Sequence, residues 1–411
     1  MREITREITV QGLTSSRSQP NTIVPRVTPI DGLRTFAIAF VVLYHLHIPF
    51  FGGGFIGVNV FFTLSGYLIT SLLLREQANT GRISLGRFWL RRGIRLYPAL
   101  VAVVVFVVLL WSAIAVYSKS NVDSWFDAGL ALSYVGNIAR WVWHRSMGPL
   151  APTWSLATEE QFYLIWPPIL AVLLASRVRR VAIMVALGML AVSSAIASML
   201  LYRTPGGGAT PDIYFSPVLN AGPLLVGAIL ALLLRSGRVL AWLGGAAGTV
   251  LTALGGLFLL ALELTMPSNW TKLPVTFGVL LPLVGIASAV LIAGLVGRVT
   301  MSSRALSRAP IAWFGRNASY SLYLWHIPVI ALILPLVPGP LGAVAAILAA
   351  AAVAIASHYH NERPVARLRH RLNAHGRAAG RFPAPHRWGE SVDDSHPHAS
   401  TEAPTLLGVL R

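Results

Sequence analysis

The chain has 411 residues, of which 55% are hydrophobic and 12% are charged. A soluble globular domain carries about 25% charged residues, so this composition excludes an ordinary soluble protein and indicates a chain that crosses a membrane several times. The absence of cysteine excludes disulfides, thiolate metal ligands and a cysteine nucleophile. The formal net charge is +18, but the arginines cluster between apolar segments, which is typical of cytoplasmic loops rather than of nucleic-acid binding.

The predicted fold is all-α, a bundle of about ten transmembrane helices, because ten apolar segments are long enough to span a bilayer. The aromatic stretch 119–156 is expected at the interface on the far side, where it could also contain a pair of short helices. The arginine bias places both termini in the cytoplasm and the protein in the plasma membrane. The ten predicted spans are 33–51, 55–74, 97–118, 157–176, 181–202, 217–234, 239–263, 273–297, 311–336 and 341–359.

Three regions follow from this pattern. Residues 1–28 are polar, without the apolar core of a signal peptide, and are expected to form a disordered cytoplasmic tail. Residues 29–370 form the membrane domain. Residues 371–411 are basic and rich in Pro, His and Ser, and are expected to be disordered.

The first predicted span, in PIDGLRTFAIAFVVLYHL, carries Asp31, Arg34 and His45. Arg34 and His45 lie on one stripe of a helix, separated along its axis by roughly 16.5 Å. Charged and titratable groups within a span are costly, so they suggest a functional site. In the alternative interpretation, Arg34 extends to the lipid headgroups and His45 hydrogen-bonds a neighbouring carbonyl; the spacing favours neither.

A basic loop is predicted before the third span, ending in RFWLRRGIRLYPAL. Its residues Arg91, Arg92 and Arg95, next to Tyr97, are a candidate site for a cytosolic polyphosphate, because guanidinium groups match phosphate oxygens. Alternatively, these arginines only orient the helices and contact anionic lipid.

The segment TWSLATEEQFYLIWPP places Glu159 and Glu160 near the outer start of the fourth span. Ser155 lies four residues before Glu159 and therefore on the same helix face. The acids could simply be stabilised by the helix dipole. A partly desolvated glutamate near a histidine can also orient and stabilise the imidazole.

The ninth predicted span contains His326, at a depth similar to that of His45. A role in helix packing is the favoured interpretation of this histidine. Among function classes, a transporter is an alternative to an enzyme, because ten spans with intramembrane His and Arg suit both.

The motifs IDGLRTFAIAFVVLYH, GVNVFFTLSGYLI, RFWLRRGIRLYPAL, TWSLATEEQFYLIWP, ASYSLYLWHIPV and NERPVARL occur in this order between residues 29 and 370. In this combination the sequence resembles the acyltransferase-3 family of integral-membrane acyltransferases, which O-acylate sugars and other hydroxyl acceptors. The chain looks like the form of the family without a fused extracytoplasmic domain.

The resemblance implies that acyl-CoA, with acetyl-CoA expected, enters from the cytoplasm and acylates a hydroxyl of a glycan or glycosylated metabolite. No permanently bound cofactor, metal or nucleic acid is expected. His45 would be the catalytic base or acyl carrier with Arg34 beside it, and Glu159, favoured over Glu160, would stabilise the imidazolium. The implied CoA-binding residues are Arg91, Arg92, Arg95 and Tyr97, and the substrate-binding candidates are Asp31, Ser155, Tyr163 and His326.

Overall fold

The computed structural model describes residues 28–118, 124–202, 212–266, 270, 273–297 and 300–365. These residues form helices and turns, with no strand among them, which confirms the all-α class. They all belong to one compact unit, Val27–Phe382. Apart from Thr28, the two predicted tails lie outside the described residues.

Fifteen α-helices follow one another along the described chain. Two π-helical segments, Thr276–Leu280 and His358–Glu362, adjoin α11 and α15. In chain order the helices are α1 (Thr28–His45), α2 (Gly57–Thr80), α3 (Leu85–Ser118), α4 (Ser124–Leu132), α5 (Gly136–Val142), α6 (Thr153–Ala175), α7 (Arg180–Leu200), α8 (Pro217–Leu233), α9 (Gly237–Leu243), α10 (Ala246–Thr265), α11 (Leu281–Gly297), α12 (Met301–Leu306), α13 (Ala309–Asn317), α14 (Ser319–Ile333) and α15 (Gly339–Ser357).

The membrane character of the bundle is clear from its long apolar helices. Within the described part of the chain, 6 helices are long and apolar enough to cross a bilayer. Counting α8 and α9 as one bent crossing, with 102° between them, gives 7. The total of about ten crossings therefore stays a prediction.

Several predicted boundaries are wrong. The first helix ends at His45 instead of residue 51, because the backbone reverses at His47 (φ 53°) and Phe50 (φ 69°). The predicted basic loop is largely helical, since α3 begins at Leu85 and carries its arginines on a continuous helix. The predicted span 239–263 is broken between α9 and α10, next to a pair of glycines, and the span 311–336 is broken between α13 and α14. The stretch 119–156 contains the pair of short helices α4 and α5.

Small residues set how closely the central helices approach. A Cβ atom added at Gly66 of α2 would lie 2.0 Å from the carbonyl oxygen of Leu224 in α8. A Cβ atom at Gly227 of α8 would lie 2.1 Å from the carbonyl oxygen of Thr63. Helix backbones in contact at small residues are typical of membrane bundles. The two glycines therefore allow α2 and α8 to pack with their backbones in direct contact.

Candidate active site

His45 is the last residue of α1 and lies half-buried inside one end of the bundle, here called the His45 end. Its Nδ1 is 2.8 Å from the carbonyl oxygen of Val41. A carbonyl can only accept a hydrogen bond, so Nδ1 carries the proton and Nε2 has the free lone pair. This is the tautomer that a general base requires.

A second imidazole lies against the first. The ring centroids of His45 and His326 are 5.0 Å apart, with 62° between the ring planes. His326 is fully buried, and its Nδ1 donates to the carbonyl oxygen of Tyr323 at 2.7 Å. Its Nε2 is buried without a hydrogen-bond partner. The substrate-binding candidate His326 therefore shares the His45 end, with Nε2 also unprotonated.

The substrate-binding candidate Ser155 belongs to the same end. Its hydroxyl lies 2.5 Å from the hydroxyl of Tyr323, whose ring centroid is 5.6 Å from that of His326. Tyr323 was not singled out from the sequence, although it stands three residues before His326. Two hydrogen-bonded hydroxyl groups thus connect the start of α6 to the tyrosine ring that packs against His326.

Aromatic side chains close the His45 end. Tyr44 packs edge-on against His45, with 5.1 Å between ring centroids, and also contacts Phe55. Phe55 and Trp270 are stacked with centroids 3.6 Å apart, and Tyr214 packs against both. This wall shields the imidazole from water, and electrostatic interactions strengthen where water is excluded.

A second polar cluster surrounds Arg34 near the start of α1, at the Arg34 end of the bundle. The guanidinium of Arg92 stands 4.2 Å from the ring centroid of Tyr163, and the Tyr163 hydroxyl donates to Glu159 at 3.0 Å. Arg34 interacts electrostatically with Glu159, and its Nε is buried without a hydrogen-bond partner. The Ser65 side chain also hydrogen-bonds Glu159.

The four predicted CoA-binding residues separate into two groups. Arg92 and Arg95 are near this cluster: Arg92 contacts Tyr163, and Arg95 is exposed to solvent while its charge interacts with those of Arg34 and Arg92. Arg91 instead points outward, 3.7 Å from Glu76. Tyr97 is 41% exposed and its hydroxyl lies 3.5 Å from the carbonyl oxygen of Leu132, away from the arginines.

The predicted roles of Glu159 and Asp31 stay predictions, and the structure shows the following contacts for these residues. The expected contact of Glu159 with the imidazole of His45 is absent from the described interactions, because α6 enters the bundle at Ser155 and places Glu159 one turn further in, beside Arg34. Asp31, a substrate-binding candidate, accepts a hydrogen bond from Arg316 Nε at 3.0 Å. Its carboxylate therefore joins α1 to α13. Glu160 has one buried oxygen, Oε1, without a hydrogen-bond partner.

Sequence reasoning missed Arg140 on α5. Its guanidinium stands 3.9 Å from the ring centroid of Phe215, and its charge acts on His45 and Tyr323. No spacing rule connects a residue of α5 to the end of α1, so the sequence holds no signal for this approach.

The described helical bundle thus holds a pair of imidazoles at one end and an arginine–glutamate cluster at the other. The chain matches the family described as "Acyltransferase domain" over residues 28–359. It therefore belongs to this acyltransferase family, as its motifs indicated. No solved structure matches the chain.

Two bacterial relatives illustrate the match. The peptidoglycan O-acetyltransferase OatA of Listeria monocytogenes is 34% identical over 324 residues, which is 75% of this chain and 50% of OatA. YrhL of Bacillus subtilis, named provisionally for the same activity, is 35% identical over 325 residues, covering 74% of this chain and 49% of YrhL. The chain thus spans about half the length of the curated relatives it matches.

Proposed function

We propose that the protein is a membrane O-acyltransferase that moves an acyl group from acyl-CoA to a hydroxyl of a glycan, with His45 as general base. The observation that carries this proposal is the hydrogen bond from His45 Nδ1 to Val41, which leaves Nε2 free to accept a proton. Family membership and the names of the relatives supply the reaction class.

The donor is acetyl-CoA, entering at the Arg34 end. Arg92 and Arg95 lie beside the Arg34 cluster, and guanidinium groups bind phosphate oxygens in a fork geometry. The arginine-rich start of α3 supports a cytoplasmic position for this end and for both termini, in the plasma membrane. Arg34, whose buried Nε has no hydrogen-bond partner, is the group that meets the pantetheine arm or the thioester.

His45 carries one proton from the acceptor hydroxyl to the leaving thiolate. As the acceptor oxygen attacks the thioester carbon, Nε2 takes the hydroxyl proton and the carbonyl electrons move to oxygen. The intermediate collapses, the C–S bond breaks, and the imidazolium protonates the leaving thiolate. General-base catalysis of this kind is worth about 10²–10⁴ in rate.

The acceptor approaches from the His45 end, on the far side of the membrane. The glycan strand of peptidoglycan is the acceptor to test first, since the Listeria relative bears that name. Ser155, Tyr323 and His326 offer hydroxyl and imidazole groups for hydrogen bonds to a sugar.

The test uses the full chain, reconstituted in liposomes, with acetyl-CoA labelled in the acetyl group and soluble peptidoglycan fragments as acceptor. We expect labelled ester on the glycan, and much less with Arg34→Gln protein. Transfer no greater than in protein-free liposomes, for this glycan and for a panel of other sugars, would overturn the proposal.

A further inference from the structure

Arg140 projects from the short helix α5 into the His45 end. Its Nη1 donates to the carbonyl oxygen of Ser146 at 2.6 Å, and its guanidinium lies over the Phe215 ring at 3.9 Å. These two contacts hold the plane of the guanidinium in one orientation. Arg140 has no role in the reaction proposed above.

The Nε–H of Arg140 is buried and has no hydrogen-bond acceptor. A buried donor without an acceptor is costly, and such a group in a native structure calls for an explanation, of which a catalytic role is one. Among the described residues no carboxylate lies within 4.0 Å of this guanidinium. Asp212, whose charge interacts with that of Arg140, is itself engaged by His144 at 2.7 Å.

The charge of Arg140 persists in this setting. Burial lowers the pKa of Arg140 to about 10, so the guanidinium remains protonated at neutral pH. The groups that interact with it electrostatically are the imidazole of His45, the phenols of Tyr214 and Tyr323, and the more distant carboxylate of Asp212. A cation with a buried, unused Nε–H therefore stands near the base, and no carboxylate of the described residues forms an ion pair with it.

We propose that Arg140 is a catalytic residue that donates its Nε–H to the oxyanion formed when the acceptor hydroxyl attacks the thioester. This inference rests on the proposed function. While His45 Nε2 takes the hydroxyl proton, the carbonyl electron pair moves onto oxygen, and Arg140 stabilises that charge. When the C–S bond breaks, the oxyanion's electron pair re-forms the C=O bond and the charge leaves on the thiolate sulfur, which takes the proton from His45; Arg140 keeps its own proton throughout.

The chemistry explains why a fixed cation suits this position better than a mobile one. Donors aimed at the place where charge develops stabilise the transition state more than the ground state. The Phe215 ring and the Ser146 carbonyl hold the guanidinium before substrate arrives. Removing one such donor typically lowers kcat by about 10²–10³.

The experiment compares purified full-length wild-type, Arg140→Gln and Arg140→Lys proteins in the acetyl-CoA transfer assay, with Arg180→Gln as control. Arg180 is an exposed arginine at the start of α7, so its removal changes net charge equally. We expect Arg140→Gln to lower kcat at least about 100-fold with KM for both substrates within threefold. Arg140→Lys keeps the charge but lacks the Nε–H fork, so it should recover part of the rate. Arg180→Gln should match the wild type.

Three results would overturn the assignment. A kcat within threefold of wild type in Arg140→Gln would show that no charge is stabilised there. A raised KM for the glycan at unchanged kcat would make Arg140 an acceptor-binding residue instead. A loss of rate matched by a fall in melting temperature would make its role structural. An inactive wild-type protein would instead contradict the proposed function itself.

Discussion

Replacing Gly66 by alanine tests whether the close contact of α2 with α8 holds the site together. The added Cβ would lie 2.0 Å from the Leu224 carbonyl oxygen, whereas real Cβ atoms essentially never approach within 3.0 Å of another heavy atom. The two backbones must therefore separate by about 1 Å. Ser65, the neighbouring residue on α2, would move with the helix and weaken its hydrogen bond to Glu159.

The separation of α2 from α8 lowers the free energy of unfolding. Radial gaps of about 0.5–1 Å already forfeit a quarter to a half of the dispersion energy of each affected contact. Overpacking substitutions cost about 1–3 kcal/mol of folding stability. Here the added Cβ of Gly66→Ala meets the backbone carbonyl of Leu224, so the expected cost lies at the upper end of that range. We expect about 3 kcal/mol of destabilisation and a fall in melting temperature on the order of 5 °C.

Thermal unfolding of the purified protein in detergent measures this effect. Gly188→Ala is the matched control, since Gly188 lies inside the membrane helix α7 and a Cβ there meets nothing within 4 Å. Alanine should be neutral at Gly188 or stabilise by up to about 1 kcal/mol through helix propensity. Equal melting temperatures for Gly66→Ala and Gly188→Ala would refute the packing argument.

Two further predictions concern the Arg34 end. Arg92→Gln should raise KM for acetyl-CoA about tenfold or more, through loss of a charge-assisted hydrogen bond to phosphate. Arg91→Gln should change it little, because the Arg91 side chain faces Glu76. An unchanged KM in Arg92→Gln, measured by steady-state kinetics, would remove Arg92 from the donor site. A double-mutant cycle with Asp31→Asn and Arg316→Gln should give a coupling free energy of unfolding of about 1 kcal/mol or more, and strict additivity would mean that this ion pair does not join α1 to α13.

Much of the arrangement along single helices was predictable. The eleven-residue separation of Arg34 and His45 requires only helix periodicity, and α1 carries both residues, with polar clusters near its two ends. The family motifs identified the acyltransferase class before any contact was known. Such inferences succeed because they depend on local geometry alone.

Contacts between distant segments were not predictable. Periodicity places Arg91 and Arg95 on similar faces, yet only the packing of α3 decides that Arg91 pairs with Glu76 while the charge of Arg95 interacts with Arg34. Asp31 and Arg316 are separated by 285 positions. Glu159 was expected beside His45 because its depth was counted from an assumed span boundary, whereas α6 begins earlier, at Thr153.

The release of free thiol from acetyl-CoA by purified wild-type and His45→Gln protein, with the glycan acceptor present, tests the central claim most directly. Glutamine keeps a polar side chain of similar reach but cannot accept and return a proton. We predict a rate at least about 100-fold lower for His45→Gln, at an unchanged melting temperature. Equal rates of thiol release from the two proteins would show that the imidazole at the end of α1 is not the base.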